Sequence, residues 1–246
     1  MTEHRQSDLN INPHIAAAPL YSAGTSVLIA RQKAQVAEII KLASNESPIG
    51  PSPRALAAIQ SELTELHRYP PVEAGSLYRA LAEHLGGGLT PDHFVASSGA
   101  SEVIDMLTRA FVKEGDNVIA CRPTFPLYEI CARRCGGEAI FADLDAYYGY
   151  DVNGILSAIN ERTRIVYLCT PNNPTGSILT PQQAERLVAE IPTSVLIVFD
   201  ESYRLFVEHA SQLIDSAGYV LNHPNVVSLG SLSKTYGLAG LRIGYA

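Results

Sequence analysis

The stretch Val226-Val227-Ser228-Leu229-Gly230-Ser231-Leu232-Ser233-Lys234 changes character halfway along. Residues 226–229 form an apolar run of strand length. Gly230 breaks the run into a loop of small residues that presents Lys234. Arg242 follows eight residues later, past Gly237 and Gly240. A lysine beside a core strand is uncommon unless something pairs with it or uses it. Apolar surroundings lower its pKa and make the amine a usable nucleophile. Small serines and glycines let backbone N–H groups and hydroxyls close on an anion, and Arg242 adds a fixed positive fork. For Lys234 alone a solvated loop lysine is the simpler reading, so the rest of the chain has to decide.

The same strand-then-loop unit recurs upstream. Apolar runs at 94–96, 118–120, 139–141, 165–169 and 195–199 predict strands. Helical spacing of apolar residues, often after Ser or Pro, predicts helices from 53, across 77–85, 101–111, 127–134 and 155–159, and from 181 to 189. A further short strand is expected at 39–42, and residues 1–30 read as an irregular arm. Strands alternating with helices predict an α/β fold in three layers, α-β-α, with a mostly parallel sheet covered on both faces. The expected division is an arm with part of a small domain in 1–45 and a large ligand-binding domain in 46–246.

Composition narrows the function. The chain has 246 residues, 46% hydrophobic and 17% charged, with a net charge of -7. That balance fits a globular protein and argues against nucleic acid as main partner. No apolar run reaches membrane-spanning length, the polar start lacks signal-peptide features, and a cytoplasmic location is expected. Cys121, Cys131, Cys135 and Cys169 form no CxxC pair, no His-Glu-x-x-His occurs, and no metal is expected.

Open α/β sheets bind ligands beyond the carboxyl ends of their strands, and each unusual loop falls there. Ser98-Gly99-Ala100-Ser101 opens a helix, whose free N–H groups suit a phosphate; an ordinary capped turn is the alternative. Pro171-Asn172-Asn173-Pro174-Thr175-Gly176 is a stiff turn that would aim the Asn173 amide at a phenolate oxygen. Asp200 ends an apolar strand, where a carboxylate needs a positive partner. Tyr203 follows three residues later. Phe125 can stack on a flat ring or simply sit in the core. An amine, an anion pocket, and a carboxylate for a ring cation together suggest pyridoxal 5'-phosphate (PLP).

Thr170-Pro-Asn-Asn-Pro-Thr-Gly176, Asp200-Glu-Ser-Tyr203 and Ser231-Leu-Ser-Lys234 with Arg242 resemble, in order and spacing, the fold-type-I PLP-dependent aminotransferases. Lys41-Leu-Ala-Ser-Asn-Glu-Ser-Pro48, Arg68-Tyr-Pro70 and Ala239-Gly-Leu-Arg242 resemble the histidinol-phosphate aminotransferase subgroup, with Ser47 and Pro71 as departures. The resemblance implies that Lys234 carries PLP and moves the proton. Asp200 would meet the ring nitrogen, Asn173 and Tyr203 the ring oxygen, and Phe125 the ring face. Ala100, Ser101, Ser231, Ser233 and Arg242 would hold the phosphate. Asn45 and Tyr21 would lie near substrate, with Tyr21 and the phosphate contact Tyr69 donated across a homodimer with shared sites. Small-molecule amino donor and 2-oxo acid are the implied partners, L-histidinol phosphate and 2-oxoglutarate foremost. The family continues into a small domain carrying a substrate-binding arginine, so this chain is expected to transaminate poorly. An aminotransferase for aromatic or other amino acids, a decarboxylase of a phosphorylated amino acid, and a non-catalytic PLP sensor share the same residues.

Overall fold

The computed structural model describes residues 10–21, 24–36, 38–71 and 75–246. Seven strands form one sheet: β1 (Ala96–Ser98), β2 (Asn117–Arg122), β3 (Glu138–Asp143), β4 (Thr163–Cys169), β5 (Leu196–Asp200), β6 (Val226–Ser231) and β7 (Ile243–Tyr245). Their spatial order is β3-β2-β4-β5-β6-β7-β1. Pairings from β3 to β6 are parallel, whereas β7 runs against both β6 and β1. With β7 reversed between them, β1 and β6 point the same way, and the ends of β1, β4, β5 and β6 share one sheet edge.

The helices are α1 (Pro13–Ala17), α2 (Val27–Ala34), α3 (Pro53–Glu62), α4 (Gly75–Leu85), α5 (Ala100–Phe111), α6 (Leu127–Arg134), α7 (Val152–Ala158), α8 (Pro181–Glu190) and α9 (Ser216–Asn222). Their starts follow from the sequence. Ser52 accepts the Ala55 N–H with Pro53 in the first turn, and Thr180 and Gln183 cap each other reciprocally ahead of Pro181.

Central strands are covered on both faces, so they read as unbroken apolar runs rather than alternating ones. Ile119, Val166, Ile197 and Phe199 pack with Ile155 of α7 and Leu187 of α8. Val118, Ala120, Ile165, Tyr167 and Val198 pack on the opposite side with Ile104 of α5 and Ile130 of α6. Each fully buried Ile, Val or Phe contributes about 1.5–3 kcal/mol of transfer free energy. The three-layer α/β fold expected from the sequence is what forms.

Three sequence expectations are corrected. Residues 39–42 form no strand, and Ile40 and Leu42 are 86% and 91% exposed, with no sheet edge beside them. The arm is not wholly irregular, since α1 and α2 interrupt it; Asn12 caps the first and Ser26 the second. Strand β7 was not expected, because Ile243-Gly-Tyr245 is too short to register as a run.

Candidate active site

A cleft of about 500 Å³ opens at the shared sheet edge. It is lined by Tyr21, Asn45, Glu46, Ala100, Ser101, Phe125, Cys169, Asn173, Asp200, Ser202, Tyr203, Ser231, Ser233, Lys234 and Arg242, among others. Every candidate named from the sequence is therefore in one place except Tyr69, which is 98% exposed outside it. The residues come from sequence positions more than 200 apart. The topology gathers them, because loops after β1, β4, β5 and β6 all open on that edge.

Asp200 closes β5 and is 4% exposed. Its carboxylate accepts the Tyr128 hydroxyl at 2.7 Å and the Ser202 N–H at 3.1 Å. Among the described residues no lysine, arginine or histidine forms an ion pair with it. Burial raises its pKa, and the bonds from Ser202 and Tyr128 oppose the rise. A buried carboxylate without a counter-charge is costly, so this wall of the cleft suits a cation.

Lys234 stands on the loop beyond β6, as its small-residue sequence predicts. Its Nζ donates to the Ser44 carbonyl at 2.7 Å and lies 5.8 Å from the Tyr203 ring centre. It has no carboxylate partner among the described ion pairs. Burial lowers its pKa; Glu46 opposes the shift, and Arg242 and Lys41 reinforce it. Glu46 is itself tied to Lys41 at 2.6 Å. Opposite Lys234, Asn45 Nδ2 donates to the Tyr203 hydroxyl at 3.0 Å. Ser44 and Asn45 both hold positive φ, 70° and 49°, which turns this segment in over the cleft.

The anion end is built around Gly99. It caps α5 at φ 85°, ψ 161°, a conformation open essentially to glycine alone. A Cβ there would strike the Arg242 guanidinium. Arg242 donates to Ser233 Oγ at 3.3 Å and to the Ser98 carbonyl at 3.4 Å. The Ser233 N–H is held by Ser231 Oγ at 3.1 Å. The guanidinium, two serine hydroxyls and the start of a twelve-residue helix thus converge. Glu102 folds back to accept the Ser98 N–H at 2.5 Å.

Two positioning residues escaped the sequence reading. Asn172, 3% exposed, donates from Nδ2 to the Pro123 carbonyl and Thr175 Oγ1, both at 2.9 Å, and accepts the Thr124 hydroxyl at 2.7 Å. It pins the turn that carries Asn173 to the loop that carries Phe125. Tyr128 is the other; it lies in the first turn of α6, three residues after Phe125 of the preceding loop, and nothing in the sequence marked it as more than core. Tyr21 packs edge-on against Phe125, ring centres 5.9 Å apart.

A second cavity, about 380 Å³, lies behind Ser202 and Ser231. Its charged groups are already satisfied: Glu201 pairs with Arg204 and accepts the Ser228 hydroxyl at 2.7 Å, and His84 meets the Tyr236 hydroxyl at 2.7 Å.

Comparison with known proteins agrees with this geometry. The family model of aminotransferase class I and II matches residues 37–246. Histidinol-phosphate aminotransferase 2 of Pseudomonas aeruginosa is 39% identical over 210 residues, 85% of this chain and 56% of its own length. Histidinol-phosphate aminotransferase of Moorella thermoacetica is 36% identical over 98% of this chain and 60% of its own length. The crystal structure of histidinol-phosphate aminotransferase from Sinorhizobium meliloti, in complex with pyridoxal-5'-phosphate, superposes with a TM-score of 0.87 at 26% identity, covering 98% of this chain and 63% of that one. The chain therefore spans about 60% of the length of the relatives it matches. On its sequence and its fold, the chain belongs to the class I and II aminotransferase family.

Proposed function

We propose that this chain is the PLP-binding portion of an aminotransferase whose amino donor is L-histidinol phosphate and whose acceptor is a 2-oxo acid such as 2-oxoglutarate. One observation carries the reading: a buried carboxylate that no cation pairs with among the described residues, a lysine that no carboxylate pairs with among them, and an arginine-serine-helix cradle share one cleft. PLP offers each its complement, namely a pyridinium, an aldehyde and a phosphate. Bound there, PLP would supply an electron sink for deprotonating the donor's α-carbon.

The chain's own residues do the rest. Ala100, Ser101, Ser231, Ser233 and Arg242 hold the phosphate. Phe125 covers the ring face. Asp200 supplies the negative charge that keeps a ring nitrogen protonated. Tyr203 and Asn173 reach the ring oxygen, and Asn45 fixes the Tyr203 hydroxyl from the substrate side. Lys234, its pKa lowered by burial, is the amine placed to take a proton from one carbon and return it to another. Cleft residues from 46–246 form the binding unit, with the segment before them closing its rim.

The active assembly is a homodimer in this reading. Tyr69 at 98% exposure, with Leu42 and Ile49 at 91% and 93%, offers the projecting aromatic and apolar surface that a second copy would cover. No described helix is long and apolar enough to cross a membrane, and a cytoplasmic setting is part of the proposal. The deciding experiment is borohydride reduction in the presence of PLP, peptide mapping, and half-reaction spectroscopy with a panel of amino donors. The pyridoxyl label should fall on Lys234, and L-histidinol phosphate should convert the bound cofactor fastest. A label on another lysine refutes the site.

A further inference from the structure

Asp200 does not stand alone at the end of β5. The Tyr128 hydroxyl donates to its Oδ2 at 2.7 Å. Tyr128 is 1% exposed, and its ring lies flat on Tyr167, centres 4.5 Å apart and planes 12° apart. The Tyr167 hydroxyl is bonded to Thr108 Oγ1 at 2.8 Å, and Thr108 to the Ile104 carbonyl at 2.7 Å, which anchors the stack to α5. On its other side Tyr128 meets Phe125 edge-on at 5.9 Å. One side chain thus touches both the carboxylate and the aromatic wall of the cleft.

We propose that Tyr128 is a positioning residue: its hydroxyl fixes the Asp200 carboxylate facing the cleft and favours the charged form. The meaning for catalysis rests on the PLP reading, but the bond and its effect on Asp200 do not. The titratable groups that face Asp200 from the packed elements are Tyr128 on α6, Tyr150 in the loop before α7, Tyr167 and Cys169 on β4, and Tyr203 beyond β5. Burial pushes all five upward, so each stays protonated and none supplies a positive charge. Only hydrogen-bond donation is left to stabilise the carboxylate, and Ser202 and Tyr128 are the donors the structure provides. The upward push on Tyr128 also keeps it a donor across the working pH range.

The test compares Tyr128→Phe, which keeps the stacked ring and removes the hydroxyl, with Tyr167→Phe, which alters the stack and leaves the Asp200 bond in place. Carboxyl 13C NMR of aspartate-labelled protein without PLP reads the Asp200 titration directly. Loss of a hydrogen bond to a charged group should raise it by about one to two pH units in Tyr128→Phe. Tyr167→Phe should leave it unchanged. Retention of PLP, followed by absorbance, should weaken about 10- to 100-fold in Tyr128→Phe, and that loss should vanish when Asp200→Asn is already present. An Asp200 titration identical in wild type and Tyr128→Phe overturns the proposal. Should Tyr128→Phe not fold, a fluorinated tyrosine at 128 strengthens the donor and must lower the Asp200 titration; no shift overturns the proposal equally. If wild type retains no PLP, the cofactor reading fails while the titration still decides the role of Tyr128.

Discussion

Replacing Gly99 by alanine separates backbone strain from ligand binding in one residue. Gly99 holds φ 85°, ψ 161° at the cap of α5, where an L side chain is strained whatever the space around it. Residues forced into such regions cost about 1–3 kcal/mol. For a domain of this size, that corresponds to a drop in melting temperature of about 2–12 °C. The new Cβ would also collide with the Arg242 guanidinium. Since that is the tip of a flexible side chain, it swings away at little steric expense. The functional effect is larger, because the guanidinium leaves Ser233 and the helix start. Losing a charge-assisted contact worth about 1.5–3 kcal/mol weakens anion binding about 10- to 100-fold. Calorimetric titration with PLP and with inorganic phosphate, alongside thermal melts, measures both effects. Gly240→Ala is the control, since a Cβ there meets nothing within 4 Å. If Gly99→Ala melts and binds like wild type, the cradle is not where the anion sits and the strain argument is wrong as well.

Asn172→Ala removes three side-chain bonds from a buried residue and leaves the Thr124 hydroxyl without its acceptor. It should lower stability by about 2 kcal/mol in urea denaturation, and an unchanged midpoint would show that the 171–176 turn holds itself. In the proposed dimer, mixing Tyr69→Phe subunits with Lys234→Ala subunits should restore one intact site per mixed dimer. Activity that stays at the level of the separate variants, with subunit exchange verified, argues against shared sites.

The strand runs at 165–169 and 195–199 were legible because both faces of a central parallel strand are buried, which leaves an unbroken apolar signal. Lys234, Asp200 and Arg242 were legible because each is a charge placed against small or apolar neighbours, a pattern that only pairing or use explains. Asn172 was hidden behind Asn173: adjacent identical residues in one turn give no sign of which faces in. The Tyr128 bond was hidden because a tyrosine three residues beyond Phe125 on an apolar helix face reads as core, and its partner is 72 positions away. Strand β7 is set by tertiary pairing with β1 and β6 rather than by its own three residues, so no local pattern could announce it. The run at 39–42 misled for the opposite reason, since β propensity counts for little without a neighbouring strand.

Asp200 and Lys234 bend the pH dependence of stability in opposite senses. Burial raises Asp200, so between its ordinary value of 3.8 and its folded value the native protein binds more protons than the unfolded chain, and stability falls as pH rises. Burial lowers Lys234, so between its folded value and 10.5 the unfolded chain binds more protons, and stability rises with pH. Asp200 therefore carries its full penalty above its own folded pKa, and Lys234 carries its full penalty below its own. A ligand that brings a cation to Asp200 relieves its share, and does so more fully above the folded pKa of Asp200 than below it. Asp200→Asn keeps the shape and removes the charge, and its amide can still meet Tyr128 and Ser202. Without PLP, above the folded pKa of Asp200, this variant should therefore be at least as stable as wild type, by up to about 1–3 kcal/mol. With saturating PLP the order should reverse, because the variant has no charge to offer a pyridinium. The extra stabilisation that PLP gives wild type over the variant should shrink as pH falls through the Asp200 titration. Thermal melts of both proteins across a pH series, with and without PLP, read all of this. A variant that melts well below wild type without PLP, yet gains as much from PLP, would mean that Asp200 is a structural cap whose charge faces no ligand.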